Sequence, residues 1–319
     1  MQTVSLTLRV PGYDVPAALT LPEGPLSGAA LIVPASLFSD VDGNYVTWNS
    51  FPRTNAYLAE GLAGRGIASL RFAKLGPGTG SVMTDPALAS GTRSWRGRAD
   101  TARLALAFMR AELAARDIVA PRTVLAGHSE GAVVVSVLAR DGVDVDGVAL
   151  LSGPSVGILE IMKEQAAAMG SADVEQLRVL DEVVDVIRAG LPISEELRSR
   201  AKGPMGAGAL VNFPPEALSY MRDVDATDPA AAIAGYEKPV LVVQGGDDTS
   251  VPPHHARALI EARGARPTTY AYFPELTHMY KHVPAGTSPA ESFGYPGPTD
   301  PRVDAALAEW IKGLPARPR

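Results

Sequence analysis

The chain contains no cysteine, which removes disulfides, thiolate nucleophiles and cysteine-based metal sites together. It also lacks a basic excess: 29 Lys and Arg stand against 35 Asp and Glu, a formal net charge of −6. No basic face able to follow a nucleic-acid backbone is expected, and acidic or polyanionic substrates are disfavoured unless a local basic pocket overrides the balance. No stretch reaches eighteen apolar residues, and the opening MQTVSLTLRV has no basic segment leading into an apolar one. A soluble, cytoplasmic protein with no membrane partner is therefore expected, or a secreted one if a signal peptide once preceded it. Internal repeats and low-complexity tails are lacking as well.

What is present suffices for a large buried core: 319 residues, 46% of them hydrophobic and 20% charged. TVSLTLRV and DVPAALTL alternate apolar and polar residues around Pro11-Gly12, the pattern of an antiparallel hairpin. The pattern then changes to short continuous apolar runs at 29–34, 66–72, 122–127, 147–153 and 239–246, as in strands covered on both faces. Helical patterns lie between them at 56–62, 99–113, 129–139 and 255–261, which predicts an α/β fold with a doubly wound, mostly parallel sheet. Asp300, Pro301 and Gly313 mark the start and end of a last helix.

From Ser155 to about Tyr236 no buried-strand run occurs, and the helical DVEQLRVLDEVVDVIRAG stands there instead. Two units are expected: a core of residues 1–154 and 237–319, and a helical cap inserted at 155–236. Met162, Met169, Phe213, Tyr220 and Met221 are candidates to line a substrate pocket from the cap, although such residues at helical spacing also serve as simple core.

LAGHSEGA places Ser129 between two glycines, after a buried run and before a helix. That strand-turn-helix setting is what a nucleophile elbow requires, because the glycines permit the tight turn and the serine oxygen projects at a helix N-terminus. A serine needs a base, and the elbow's usual chain order places an acid and then a histidine after it. His278, just past the apolar TTYAYF, falls at the C-terminal edge of the sheet; His282 is its rival, while His128, His254 and His255 fit structural roles better. For the acid, Asp248 in QGGDDTSVPP is preferred to Asp247, which reads as a turn residue or cap. Asp40, Asp42, Gly43 and Asn44 lack the remaining ligands of a calcium loop, and LGPGTG lacks the Lys-Ser/Thr ending of a phosphate loop; both read as shaped loops. The arrangement calls for no metal and no cofactor.

GHSEG, QGGDDTSVP and LTH, in that order, resemble the α/β-hydrolase superfamily, within it the serine esterases and serine aminopeptidase-like members. LIVPASLFSDVDGN and LRFAKLGPGTGS extend the likeness over about residues 28 to 280. The resemblance implies an oxyanion hole formed by the backbone N–H of Glu130 and that of Ser36 or Leu37. Here Pro34-Ala35-Ser36-Leu37 replaces the superfamily's usual His-Gly-x-Gly. Ala35 and Leu37 adopt positive φ far less readily than glycine, so a different local turn is expected. The function that follows is hydrolysis of a small-molecule ester through an acyl-enzyme on Ser129. Aminopeptidase, thioesterase or acyl-transfer chemistry on the same residues is the alternative, and a non-catalytic binding protein on the same scaffold is a third reading. Oligomeric state is not legible.

Overall fold

The computed structural model describes residues 1–168, 173–203 and 206–317. The N-terminal alternation forms the hairpin of β1 (Gln2–Val10) and β2 (Tyr13–Leu21), paired antiparallel from Gln2↔Leu21 to Val10↔Tyr13. Gly12 turns it at φ +77°, a conformation that glycine reaches without a Cβ clash.

The buried runs become β3 (Gly28–Val33), β4 (Ile67–Phe72), β6 (Thr123–His128), β7 (Gly147–Leu151) and β8 (Val240–Gly245), every residue of each buried. β5 (Val82–Met83) is a short strand on β2, and β9 (Thr268–Phe273) is the far edge. The sheet order is β1-β2-β4-β3-β6-β7-β8-β9, parallel from β4 onward.

Helices cover both faces, which explains why these strands read as continuous apolar runs. Ala29, Leu31 and Val33 face α3 (Trp95–Ala114), α4 (Glu130–Arg140) and α11 (His254–Arg263). Ala30 and Ile32 face the opposite layer, where Leu58 and Leu62 of α1 (Thr54–Ala63) pack with Val303, Leu307 and Ile311 of α13 (Pro301–Gly313). The Asp300 side chain caps α13 by accepting the N–H of Arg302. α2 (Pro86–Arg93) and α12 (Pro289–Phe293) are short helices outside the apolar periodicity.

Between β7 and β8 lie α5 (Ile158–Ala168), α6 (Val174–Arg188), α7 (Glu195–Arg200), α8 (Ala207–Leu210), α9 (Pro215–Asp225) and α10 (Pro229–Ala234). Leu159 of α5, Val179, Val183, Val184 and Ile187 of α6, and Leu210 of α8 form an apolar cluster separate from the two that sandwich the sheet. At the return to β8, Arg263 fastens the chain: its five N–H groups donate to the carbonyls of Ile233, Tyr236, Lys238 and Pro267 and to Thr268 Oγ1. No helix among the described residues is long and apolar enough to cross a membrane.

Candidate active site

Ser129 follows β6 directly and precedes α4, with φ 56° and ψ −122°. A non-glycine residue pays for that conformation, and such strain persists only where the surroundings hold it. The holding is steric. A Cβ on Gly127 would lie 2.1 Å from the carbonyl oxygen of Gly131, and one on Gly131 would lie 2.3 Å from that of Val33. These two glycines let the turn close and let the start of α4 press against the end of β3. Glu130 opens α4, so its N–H belongs to a helix's first turn, where amides lack intrahelical acceptors.

The loop after β3 does make a left-handed turn, and it does so without glycine: Leu37 has φ 63°. Leucine's reluctance to take positive φ is overridden by the loop around it. Leu37, Ser129, Ser152 and Tyr280 all have positive φ and all follow C-terminal ends of sheet strands. Strain is thus gathered at the edge where ligands of parallel sheets bind.

Asp248 is 3% exposed and held on several sides. Its Oδ1 accepts the backbone N–H groups of Ser250 (3.0 Å) and Val251 (2.8 Å), and its Oδ2 accepts from Gln244 Nε2 at 3.2 Å. His278 Nδ1 lies 2.8 Å from Oδ2. An ionised carboxylate only accepts, so Nδ1 carries the proton and Nε2 presents its lone pair. Asp247 is exposed, with its N–H donated to the Leu276 carbonyl. His282 is largely exposed and paired with Asp300 at 2.7 Å.

His128 lies beneath this arrangement. Its Nε2–H donates to the His278 carbonyl at 2.9 Å, and the two rings are 4.7 Å apart. The contact seats the loop carrying His278 one residue from Ser129. Burial, reinforced by the charge that His278 acquires on protonation, pushes the His128 ring down to about 3, so it stays neutral.

Ser129, Asp248 and His278 thus come to the C-terminal ends of β6, β8 and β9, in the order and edge geometry of an α/β-hydrolase. The sequence matches the family described as serine aminopeptidase, S33, over residues 53–282. The chain belongs to this hydrolase family. Among solved structures it is similar to the esterase domain of a Rhodothermus marinus protein (TM-score 0.54, 15% identity, 98% of this chain and 99% of that one). It is similar also to Est1E from Butyrivibrio proteoclasticus (0.54, 17%, 97% and 96%). Proline iminopeptidase from Mycobacterium smegmatis is a third (0.52, 14%, 97% and 97%). At these identities the likeness establishes the fold. No curated protein matches the chain.

Sequence reading of this serine aminopeptidase-family chain missed the surroundings of the Glu130 side chain. The carboxylate is buried, and its Oε1 receives Lys74 Nζ at 2.7 Å, the Tyr220 hydroxyl at 2.9 Å and Arg98 Nε at 3.4 Å. Burial opposes its ionisation, but Lys74 and Arg98 outweigh that and hold the carboxyl below its ordinary range. Lys74 stands in LRFAKLGPGTGS, and Arg98 in the first turns of α3; no periodicity links either to Glu130.

Of the proposed pocket residues, Tyr220 alone hydrogen-bonds to the site among those described. Met162, Phe213 and Met221 pack against the insertion's own apolar cluster, the ordinary use of such residues on amphipathic helices. Met169 lies outside the described residues. His254 and His255 meet Glu164 of α5 at 3.4 and 2.9 Å, and Ser155 donates its backbone N–H to His255 Nδ1. That leaves Nε2 protonated and turned to Glu164, a hydrogen-bonded clasp between α5 and α11.

Proposed function

We propose that this hydrolase cleaves carboxylic esters of medium-sized, uncharged acyl groups through an acyl-enzyme on Ser129. The observation that carries the proposal is the buried Asp248–His278 pair at 2.8 Å, on the same sheet edge at which Ser129 is held at φ 56°. Ser129 Oγ attacks the acyl carbonyl while His278 Nε2 takes its proton and Asp248 stabilises the imidazolium. The tetrahedral oxyanion is received by the N–H of Glu130 and that of Ser36 or Leu37. Collapse expels the alkoxide, which takes the proton from His278. Water, deprotonated by His278, then attacks the acyl-enzyme, and Ser129 leaves with that proton. No step passes through a metal or cofactor.

The family description and the iminopeptidase likeness favour a second reading, removal of an N-terminal residue from a peptide. Recognition of a substrate ammonium needs a carboxylate free to meet it. Glu130, the carboxylate next to the nucleophile, is already held by two cations, which supports the ester reading. A fluorophosphonate probe tests the nucleophile: labelling of folded wild-type protein at Ser129, and none in Ser129→Ala, is expected. A panel of acyl esters, thioesters and aminoacyl amides then tests the substrate; selectivity for amides would replace the ester reading. We place residues 155–236 over this site as a cap.

A further inference from the structure

The Glu130 cluster joins two parts of the site that come from distant stretches of chain. Arg98 reaches the Glu130 carboxylate with Nε and donates through Nη2 to the carbonyl of Pro34 at 2.6 Å. Pro34 opens the loop that contains Ser36 and Leu37. One buried guanidinium therefore holds both the residue after the nucleophile and the start of the loop facing it. Lys74, on the segment after β4, and Tyr220, on α9, close on the same carboxylate oxygen.

We propose that Lys74, Arg98 and Tyr220, acting through the Glu130 carboxylate, are positioning residues for the oxyanion site, and that Tyr220 makes turnover depend on how α9 is seated. This rests on the reading of Ser129 as nucleophile. The two amides that would bind the oxyanion belong to Glu130 and to the loop of Ser36 and Leu37. Their separation is fixed by side chains that bond the Glu130 carboxylate and the Pro34 carbonyl. Small misplacements of such donors are costly, because oxyanion binding depends on donors set before the charge appears.

Charge adds to position. Two cations surround one carboxylate, so the cluster carries a net positive charge at the base of the elbow, complementary to an oxyanion. Burial pushes the Lys74 ammonium down to about 8; Glu130 opposes this and Arg98 adds to it. The groups facing Lys74 are Glu130 on α4, Arg98 on α3 and the Tyr220 ring on α9, 5.4 Å from the ammonium. Tyr45, buried in the loop after β3, feels the same Glu130 charge. Burial, with Glu130 beside it, pushes the Tyr220 phenol well up, so it remains a neutral donor. The extra positive charge is therefore present at neutral pH and lost as pH rises through about 8.

Tyr220→Phe keeps the ring and deletes the donor. It is expected to lower kcat, and the rate of fluorophosphonate labelling, on the order of tenfold with KM little changed. Lys74→Arg keeps the charge at alkaline pH, and Lys74→Met removes it at every pH. Wild-type kcat is expected to fall as pH rises through about 8. That fall should move upward in Lys74→Arg, and activity in Lys74→Met should be low and flat across the same range. Circular dichroism and thermal midpoints accompany each variant. A purely structural role moves those midpoints and leaves kcat per folded molecule and the alkaline fall unchanged, and that result would overturn the proposal. Failure of wild-type Ser129 to label sinks the nucleophile reading instead, whereas a labelled Ser129 with unaltered Tyr220→Phe and Lys74→Arg kinetics sinks only the present proposal.

Discussion

The His278 ring meets the Asp248 carboxylate with Nδ1 2.8 Å from one oxygen and 3.0 Å from the other, inside a shell where Ser250 and Val251 donate their N–H groups to the same acid. The carboxylate's orientation is set by its own loop before the histidine arrives. Asp248→Asn offers an N–H where the ring needs an acceptor and favours the wrong tautomer. A loss of roughly three to four orders of magnitude in kcat is expected with KM nearly constant. Steady-state kinetics on a short acyl ester checks it; an asparagine variant within tenfold of wild type would remove Asp248 from this role.

Gly131→Ala tests the elbow itself. Its added methyl would sit 2.3 Å from the Val33 carbonyl oxygen and 2.7 Å from that of Pro34, both backbone atoms that cannot swing aside. A destabilisation of about 1–3 kcal/mol is expected from overpacking, together with an activity loss larger than the folded fraction explains. Urea unfolding and kinetics on one preparation separate the two. Gly91→Ala, where the methyl meets nothing within 4 Å, serves as the control.

Acid should destabilise the protein through His128. Its native ring is held down at about 3, whereas an unfolded histidine titrates near 6.5. Between those values the unfolded chain binds the extra proton, so stability falls as pH drops below about 6.5, on the order of 1 kcal/mol per pH unit for such a group. His255, pushed down mainly by burial, adds in the same direction. His128→Gln should show a shallower decline between pH 7 and pH 5 by urea denaturation, and equal slopes would contradict the assignment.

Arg263→Met removes five donors from a fully buried position and strands the carbonyls of Tyr236 and Lys238, whereas those of Ile233 and Pro267 keep the backbone N–H groups of Tyr236 and Val240. A loss of about 2–5 kcal/mol is expected, at about 1–3 kcal/mol for each acceptor left buried and unpaired. Arg263→Lys should recover only part of it, since a single ammonium cannot span the same fork of acceptors. Chemical denaturation of the three proteins decides the point.

Strands were legible because burial on both faces writes itself as unbroken apolar runs, and the Ser129 elbow because its glycines occupy the positions that steric closure demands. Asp248 could be told from Asp247 only by preference; the structure separates them by exposure. The Glu130 cluster was hidden for a physical reason. Its partners lie 32, 56 and 90 residues away and meet through tertiary packing, which leaves no periodic trace. Leu37 misled in the other direction, since local preference argues against a left-handed leucine and the surrounding loop imposes one. Met162, Phe213 and Met221 were ambiguous for lack of any signal distinguishing a pocket wall from a helix interface.

β7 and β8 are neighbours in the sheet, so the chain departs at Leu151 and re-enters at Val240 on the adjoining strand. All that lies between is an excursion from one seam. Lengthening or exchanging its outer helices would re-pair no strand, but Ile233 and Tyr236 must stay, because they pack in the core over the sheet and accept from Arg263; Ser129, Asp248 and His278 all stand outside it. A transplanted segment must bring its own phenol to the Glu130 carboxylate or leave that group to two cations alone.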